Sequence, residues 1–232
     1  MDSSSVDTAG STRFRDRTEA GRILAQELSH YEGRDDVIVL ALPRGGVPVG
    51  YEVARALRAP LDVFVARKLG LPGYPELAMG AIAAGGVAVL DRALVHRLGI
   101  SEETIRQVVA QEARELERRE VAYRDGRPPP DLKGKTVILV DDGLATGATM
   151  RAAALAAKEH QPERVIVAVP VAAPQTCDEF RGDVDEIICA VTPEPFYAVG
   201  IWYENFDQTT DNEVRELLAR ASEREDSDGD RR

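Results

Sequence analysis

Apolar residues along this chain alternate between short buried runs and helical stripes. Residues 36–42 (Asp-Val-Ile-Val-Leu-Ala-Leu) form a nearly unbroken apolar run, as expected of a strand covered on both faces. Residues 61–66, 136–141, 164–171 and 185–191 read as four further core strands. Between them lie helical segments at 17–30, with Ile23, Leu24 and Leu28 on one face, and at 47–57, 149–160, 174–180 and 211–221. A longer, charged helix spans 101–124, with Ser101 as its cap and Thr104 at the third helical position, and Pro128, Pro129 and Pro130 follow its end. Residues 67–75 read as a Gly- and Pro-rich loop, and Gly85-Gly86 marks a hairpin between 78–84 and 87–90.

Strands alternating with helices predict an α/β fold with a doubly wound, mainly parallel, five-stranded sheet. Ligands of such sheets sit at the carboxyl ends of the strands, so the loops after Leu42, Ala66, Val140 and Val191 are where chemistry is sought. One domain is expected over 13–221. The small and polar segments 1–12 and 222–232 are expected to be disordered.

Composition narrows the function classes. The 232 residues are 44% hydrophobic and 30% charged, which is a globular balance. A net charge of −11 opposes binding to nucleic acid or to an anionic membrane, and no run approaches the ~20 apolar residues of a membrane span. A cytoplasmic protein is expected. Cys177 and Cys189 have apolar flanks, no CxxC spacing and no neighbouring His, and read as buried reduced thiols. His30, His96 and His160 are scattered, which argues against a structural zinc site.

The most informative segment is 137–150, Val-Ile-Leu-Val-Asp-Asp-Gly-Leu-Ala-Thr-Gly-Ala-Thr-Met. Four apolar residues deliver two adjacent carboxylates to the sheet edge. A loop of small and hydroxyl residues then opens a helix, whose free N–H groups and dipole favour an anion. Gly147 allows close backbone approach, and Thr146 and Thr149 add hydroxyl donors. The pattern predicts a phosphate on the loop and a hydroxylated, metal-bound group beside the acids, which is the shape of a ribose 5-phosphate. A receiver domain also sets acids at a strand end, but has no use for Ala-Thr-Gly-Ala-Thr.

These residues resemble the phosphoribosyl pyrophosphate motif of type I phosphoribosyltransferases, and the resemblance extends in order over roughly residues 13–218. It implies that Asp141 and Asp142 hold the ribose hydroxyls and that Ala145, Thr146, Gly147, Ala148 and Thr149 grip the 5-phosphate. Gly143 departs from the family, in which a larger aliphatic residue is usual. Pro43-Arg44-Gly45-Gly46 is similar to the family's pyrophosphate loop, with Arg44 and Gly45 as contacts and a cis peptide expected at Pro43–Arg44. Arg67-Lys68 opens a stretch similar to that of adenine phosphoribosyltransferases, and implies pyrophosphate contacts from a lid over 67–90. Within that lid Glu76 is a candidate for proton transfer, against the plainer reading of a surface carboxylate.

The resemblance also implies a hood at 193–206, where Phe196, Tyr197 or Trp202 stacks on a base or else packs the hood on the sheet. It further implies Mg²⁺ held through pyrophosphate and ribose hydroxyls near Asp141 and Asp142, and transfer to a nitrogenous base, a purine among the candidates. Ala145 stands where 6-oxopurine enzymes carry Asp, which argues against hypoxanthine and guanine. The helical insertion 91–124 has no counterpart in the adenine enzymes, and its amphipathic stretch 102–123 is a candidate contact for a homodimer. A regulator that binds phosphoribosyl pyrophosphate without turnover is the competing reading; it requires a basic face that is not evident.

Overall fold

The computed structural model describes residues 13–71, 74–83, 86–124 and 126–229, with side-chain surroundings described for these except 74–77, 87 and 225–229. Residues 1–12 and 230–232, expected to be disordered, lie outside the described residues.

The described chain runs α1 (Arg17–Glu27), β1 (Val37–Ala41), α2 (Gly46–Leu57), β2 (Leu61–Val63), β3 (Ala66–Leu71), β4 (Tyr74–Ala83), β5 (Val87–Leu90), α3 (Arg92–Arg97), α4 (Glu102–Arg124), β6 (Thr136–Val140), α5 (Ala148–Glu159), β7 (Arg164–Val171), α6 (Pro174–Phe180), β8 (Glu186–Val191) and α7 (Asp211–Gly229). Single 3₁₀ turns lie at Ser29–Tyr31 and Val199–Trp202. The central sheet has the order β2-β1-β6-β7-β8, with all four neighbouring pairs parallel.

Strand side chains alternate between two cores, one on each face of the sheet. Val37, Val39, Ala41, Ile138, Val140, Ile166 and Ala168 pack with α1, α2 and α7 on one face. Ile38, Leu40, Val137, Leu139, Val165 and Val167 pack with α5 and α6 on the other. This two-sided cover explains why the strands read as unbroken apolar runs. Helix α5 is rich in alanine, which favours helix and keeps its buried face thin against the sheet.

Several expectations are corrected. Residues 67–75 were expected to form a loop, but 66–71 form β3, paired antiparallel with β4 and carrying an irregularity from Leu69 to Leu71. With β5 they make a separate sheet, β3-β4-β5. Burial of Leu69, Leu71, Met79 and Ile82 against the core outweighs the local preference of Gly and Pro for turns. The expected strand 61–66 is divided at Phe64-Val65 between two sheets. The tail expected to be disordered from 222 continues α7 to Gly229. The cysteines, expected to be reduced, form a disulfide: α6 folds back over β8 and brings Cys177 to Cys189 with Cα atoms 6.8 Å apart. The apolar stripe of α4 (Ile105, Val108, Val109 and Ala113) is partly buried against the chain's own core, and Val121 of the same helix is exposed.

Helix α4 starts as its cap predicts, with Ser101 Oγ accepting from the Thr104 N–H at 3.1 Å. It ends on a buried cation. Arg124, 5% exposed, pairs with Asp62 of β2 at 3.1 Å and Glu120 at 2.9 Å, and donates to the Val63 carbonyl at 2.9 Å. Burial pushes the Asp62 and Glu120 carboxyls up, and Arg124 opposes this in both. Arg124→Met leaves two acids without their cation. It is expected to lower the urea unfolding free energy by about 3 kcal/mol, the usual cost of breaking a buried pair on one side. A loss below about 1 kcal/mol would show that water reaches the two acids.

Candidate functional site

The strand order reverses between β1 and β6, since the chain winds from β1 to β2 on one side and from β6 through β7 to β8 on the other. A reversal opens a crevice at the carboxyl ends of the two strands. The Pro43–Gly46 loop leaves β1 there and the 141–147 loop leaves β6. The Leu42 N–H donates to the Val140 carbonyl at 2.8 Å, which holds the two exits side by side. The Pro43–Arg44 peptide is cis, as the resemblance implies.

The loops are in such close contact that only glycine fits between them. A Cβ on Gly45 would lie 2.0 Å from Asp142 Oδ2, and one on Gly46 would lie 2.6 Å from the Val140 carbonyl and 2.9 Å from Asp141 Cα. The glycine pair is therefore required by the acid pair, which sequence spacing alone does not reveal.

Asp141 Oδ1 accepts from the Asp142 N–H at 2.8 Å. Asp142 Oδ2 accepts from Arg17 Nε at 2.8 Å, and the Asp142 carbonyl accepts from the Tyr203 hydroxyl at 2.6 Å. Burial, and then the charge of Asp142, push the Asp141 carboxyl well above its ordinary range. Burial also raises Asp142, with Arg17 opposing. Burial and the charge of Asp142 raise the Tyr203 phenol, so it stays a donor. Sequence reasoning missed the parts that Arg17 and Tyr203 play. They lie 125 and 61 residues from Asp142, and nothing local marks them.

The next loop is braced from behind and open in front. The Leu144 N–H donates to the Val171 carbonyl, Leu144 O accepts from the Ala173 N–H, and Thr176 Oγ1 donates to the Ala145 carbonyl at 2.6 Å. Gly147 precedes α5 at φ 68°, where a Cβ would lie 2.5 Å from Phe180. Ala145, Thr146, Ala148 and Thr149 are exposed. Among the described residues no side chain caps the start of α5.

The remaining candidates are placed as follows. Arg44 lies at the crevice, 3.9 Å from Asp211 at the start of α7. Arg67 is held by Glu112 of α4 rather than standing free on a loop. Lys68 is exposed on β3, and Glu76 lies in β4, its side chain outside the described surroundings. Phe196 and Trp202 pack in a cluster with Phe14, Ala20, Val171 and Tyr203, as the packing alternative expects, whereas Tyr197 is 78% exposed. Among the described residues, buried Trp202 Nε1 meets no hydrogen-bond partner. Gly143 has an explanation: the space of its missing side chain is taken by Val199 of the hood, 2.6 Å from an added Cβ. The hood is also tied to the chain's start, since the Phe14 N–H donates to the Trp202 carbonyl and the Glu204 N–H to the Phe14 carbonyl, both at 2.8 Å.

Two variants test this geometry. Gly45→Ala drives a methyl into Asp142 and is expected to lower the urea unfolding free energy by about 1–3 kcal/mol, as overpacking does; an unchanged unfolding free energy would show that the loops separate freely. Asp141→Asn is expected to stabilise the unliganded protein. A carboxyl whose folded pKa is raised contributes stability that is fully present below its unfolded pKa and lost as pH rises through the folded value. The amide does not incur that loss. A Tm gain of about 2–4 °C at neutral pH, shrinking near pH ~4, is expected in thermal melts. An unchanged or lower Tm at neutral pH would contradict the burial of this charge.

Comparison with known proteins agrees with the geometry. Residues 16–199 match the profile of the phosphoribosyl transferase domain. Two Mycobacterium tuberculosis proteins, MT0597 of strain CDC 1551 and Rv0571c of strain H37Rv, are each 47% identical over 208 residues; their names describe them as candidate phosphoribosyl transferases. The match covers 90% of this chain and 47% of theirs, so the chain spans about half the length of these curated relatives. The crystal structure of TT1426 from Thermus thermophilus is 41% identical and superimposes with a TM-score of 0.82, covering 90% of this chain and 98% of that one. On its fold, its acid pair and its match over most of its length, the chain belongs to the type I phosphoribosyltransferase family.

Proposed function

We propose that this protein transfers the 5-phosphoribosyl group of phosphoribosyl pyrophosphate to a nitrogenous base, a purine among the candidates, and releases pyrophosphate. The observation that carries this reading is the juxtaposition of a half-buried acid pair with an exposed loop leading into the uncapped start of α5. A sugar between them places its 2- and 3-hydroxyls at Asp141 and Asp142 and its 5-phosphate on the N–H groups from Ala145 to Thr149.

Breaking the bond from C1 to pyrophosphate leaves positive charge on the sugar and negative charge on the leaving group. Asp141 and Asp142 favour the first, and Arg44 is placed to favour the second. Arg67 and Lys68 join Arg44 in this role if the lid sheet closes, which requires Arg67 to leave Glu112. Glu76 in the same lid is proposed for proton transfer at the base. Tyr197 is an exposed ring for stacking, and Phe196 and Trp202 shape the hood from behind. No protein group attacks the sugar; the base does.

Asp141 and Asp142 offer hard carboxylate oxygens side by side, and Mg²⁺ characteristically takes one or two carboxylates together with substrate oxygens. Pyrophosphate and ribose oxygens would hold the ion beside Asp141 and Asp142, and when bound it supplies charge neutralisation for the leaving group. Among the described residues no helix is long and apolar enough to cross a membrane.

The test is pyrophosphate release from phosphoribosyl pyrophosphate and Mg²⁺ across a panel of purine, pyrimidine and other nitrogen bases, beside an Asp141→Asn/Asp142→Asn double variant. Turnover with at least one base, reduced by about a thousandfold or more in the double variant, is expected. Equal turnover in the variant would overturn the site. Binding without turnover on any base would instead favour a regulator.

A further inference from the structure

We infer that Arg17 is a positioning residue that couples the seating of the hood to the geometry of the sugar-binding acids. The inference rests on the function proposed above and adds to it a residue outside the family motif.

Arg17 joins three separate parts of the chain. It stands at the start of α1, its Nε donates to Asp142 at 2.8 Å, and its Nη1 donates to the Asp207 carbonyl at 2.7 Å. The guanidinium carbon lies over the ring of Phe206, 4.0 Å from its centre, a distance at which the ring's electrons attract a cation. Its side chain is 12% exposed and that of Asp142 is 16% exposed, so the pair is shielded from most solvent screening. From the hood side, Tyr203 holds the Asp142 carbonyl, and its ring packs at a tilt against those of Phe14 and Phe206, with centres 5.4 and 5.0 Å away.

Each contact limits a different freedom. The charge-assisted bond fixes which Asp142 oxygen is occupied and leaves Oδ1 for a sugar hydroxyl. The carbonyl and the Phe206 ring fix the guanidinium in turn, through residues of the segment that follows the hood turn. If that segment lifts, Arg17 loses two of its three partners and Asp142 loses its orientation. A base that seats the hood therefore also improves the sugar site, and phosphoribosyl pyrophosphate in the sugar site favours a seated hood, because such coupling is reciprocal.

The test measures binding of phosphoribosyl pyrophosphate with Mg²⁺ by calorimetry, without a base, for wild type, Arg17→Met, Arg17→Lys, Phe206→Leu and the Arg17→Met/Phe206→Leu double variant. Arg17→Met is expected to weaken binding roughly tenfold or more, the value of one charge-assisted bond. Arg17→Lys should recover part of the loss. Phe206→Leu, which leaves every proposed sugar contact in place, should weaken binding by several-fold, and the double variant should bind no worse than Arg17→Met.

Thermal melts run alongside separate the reading from a purely structural role, which lowers Tm and leaves the affinity of the folded protein unchanged. Affinity unchanged in Arg17→Met overturns the inference. So does tighter binding, which would mean that Arg17 competes with the sugar, and so do independent additive losses at the two positions. Should Arg17→Met fail to fold, Arg17→Lys and Phe206→Leu decide the matter by the same criteria. If wild type does not bind phosphoribosyl pyrophosphate, the proposed function falls and takes this inference with it; if wild type binds and the variants bind equally, only the inference falls.

Discussion

The structure turns on a contact that leaves no room for a β-carbon. Where the sheet reverses direction, the backbone of Gly45-Gly46 is pressed against Asp141 and Asp142, and any side chain there would occupy the space of a carboxylate or a carbonyl. This contact makes one crevice from two loops whose residues lie almost a hundred positions apart. The apolar strands, the cover on both faces and the parallel pairing serve to bring β1 and β6 side by side, so that these exits meet.

Such closeness carries an electrostatic cost. Two neighbouring carboxylates are drawn out of water, and each is pushed towards its neutral form. One cation, Arg17, offsets part of it, while the phenol of Tyr203 holds the Asp142 backbone carbonyl, and both are supplied by segments outside the strand-and-loop motif. On the proposed reading, a site held in this way is poised for hydroxyl groups that exchange hydrogen bonds with the acids, and it is least comfortable when empty. That is the expected relation between stability and function at a binding site.

The neighbouring loop is built on the opposite plan, with its rear filled and its front bare. Thr176 and Phe180 of α6 brace Ala145 and Gly147, and α6 is itself tied to β8 through Cys177 and Cys189. The loop's N–H groups are thereby presented on a fixed frame, which suits recognition of an anion by geometry rather than by a mobile cation.

The strand runs, the acid pair with its glycine-rich exit, and the cap at Ser101 were all legible in the sequence, because each is a local pattern whose physics acts within a few residues: burial on both faces, free N–H groups at a helix start, a hydroxyl three positions from its acceptor. The features that had to wait for the fold depend on distant partners. Arg17 reads as one of many charged helix residues until the chain carries it to Asp142. Residues 66–71 read as a loop until β4 and the core cover Leu69 and Leu71. The cysteines read as isolated thiols until α6 returns over β8, and Gly143 reads as a departure until Val199 fills its place. Sequence by itself determined which chemistry the chain carries, since local residue type sets that; tertiary structure alone decided which groups hold that chemistry in position, since only the closed chain brings them within hydrogen-bonding distance.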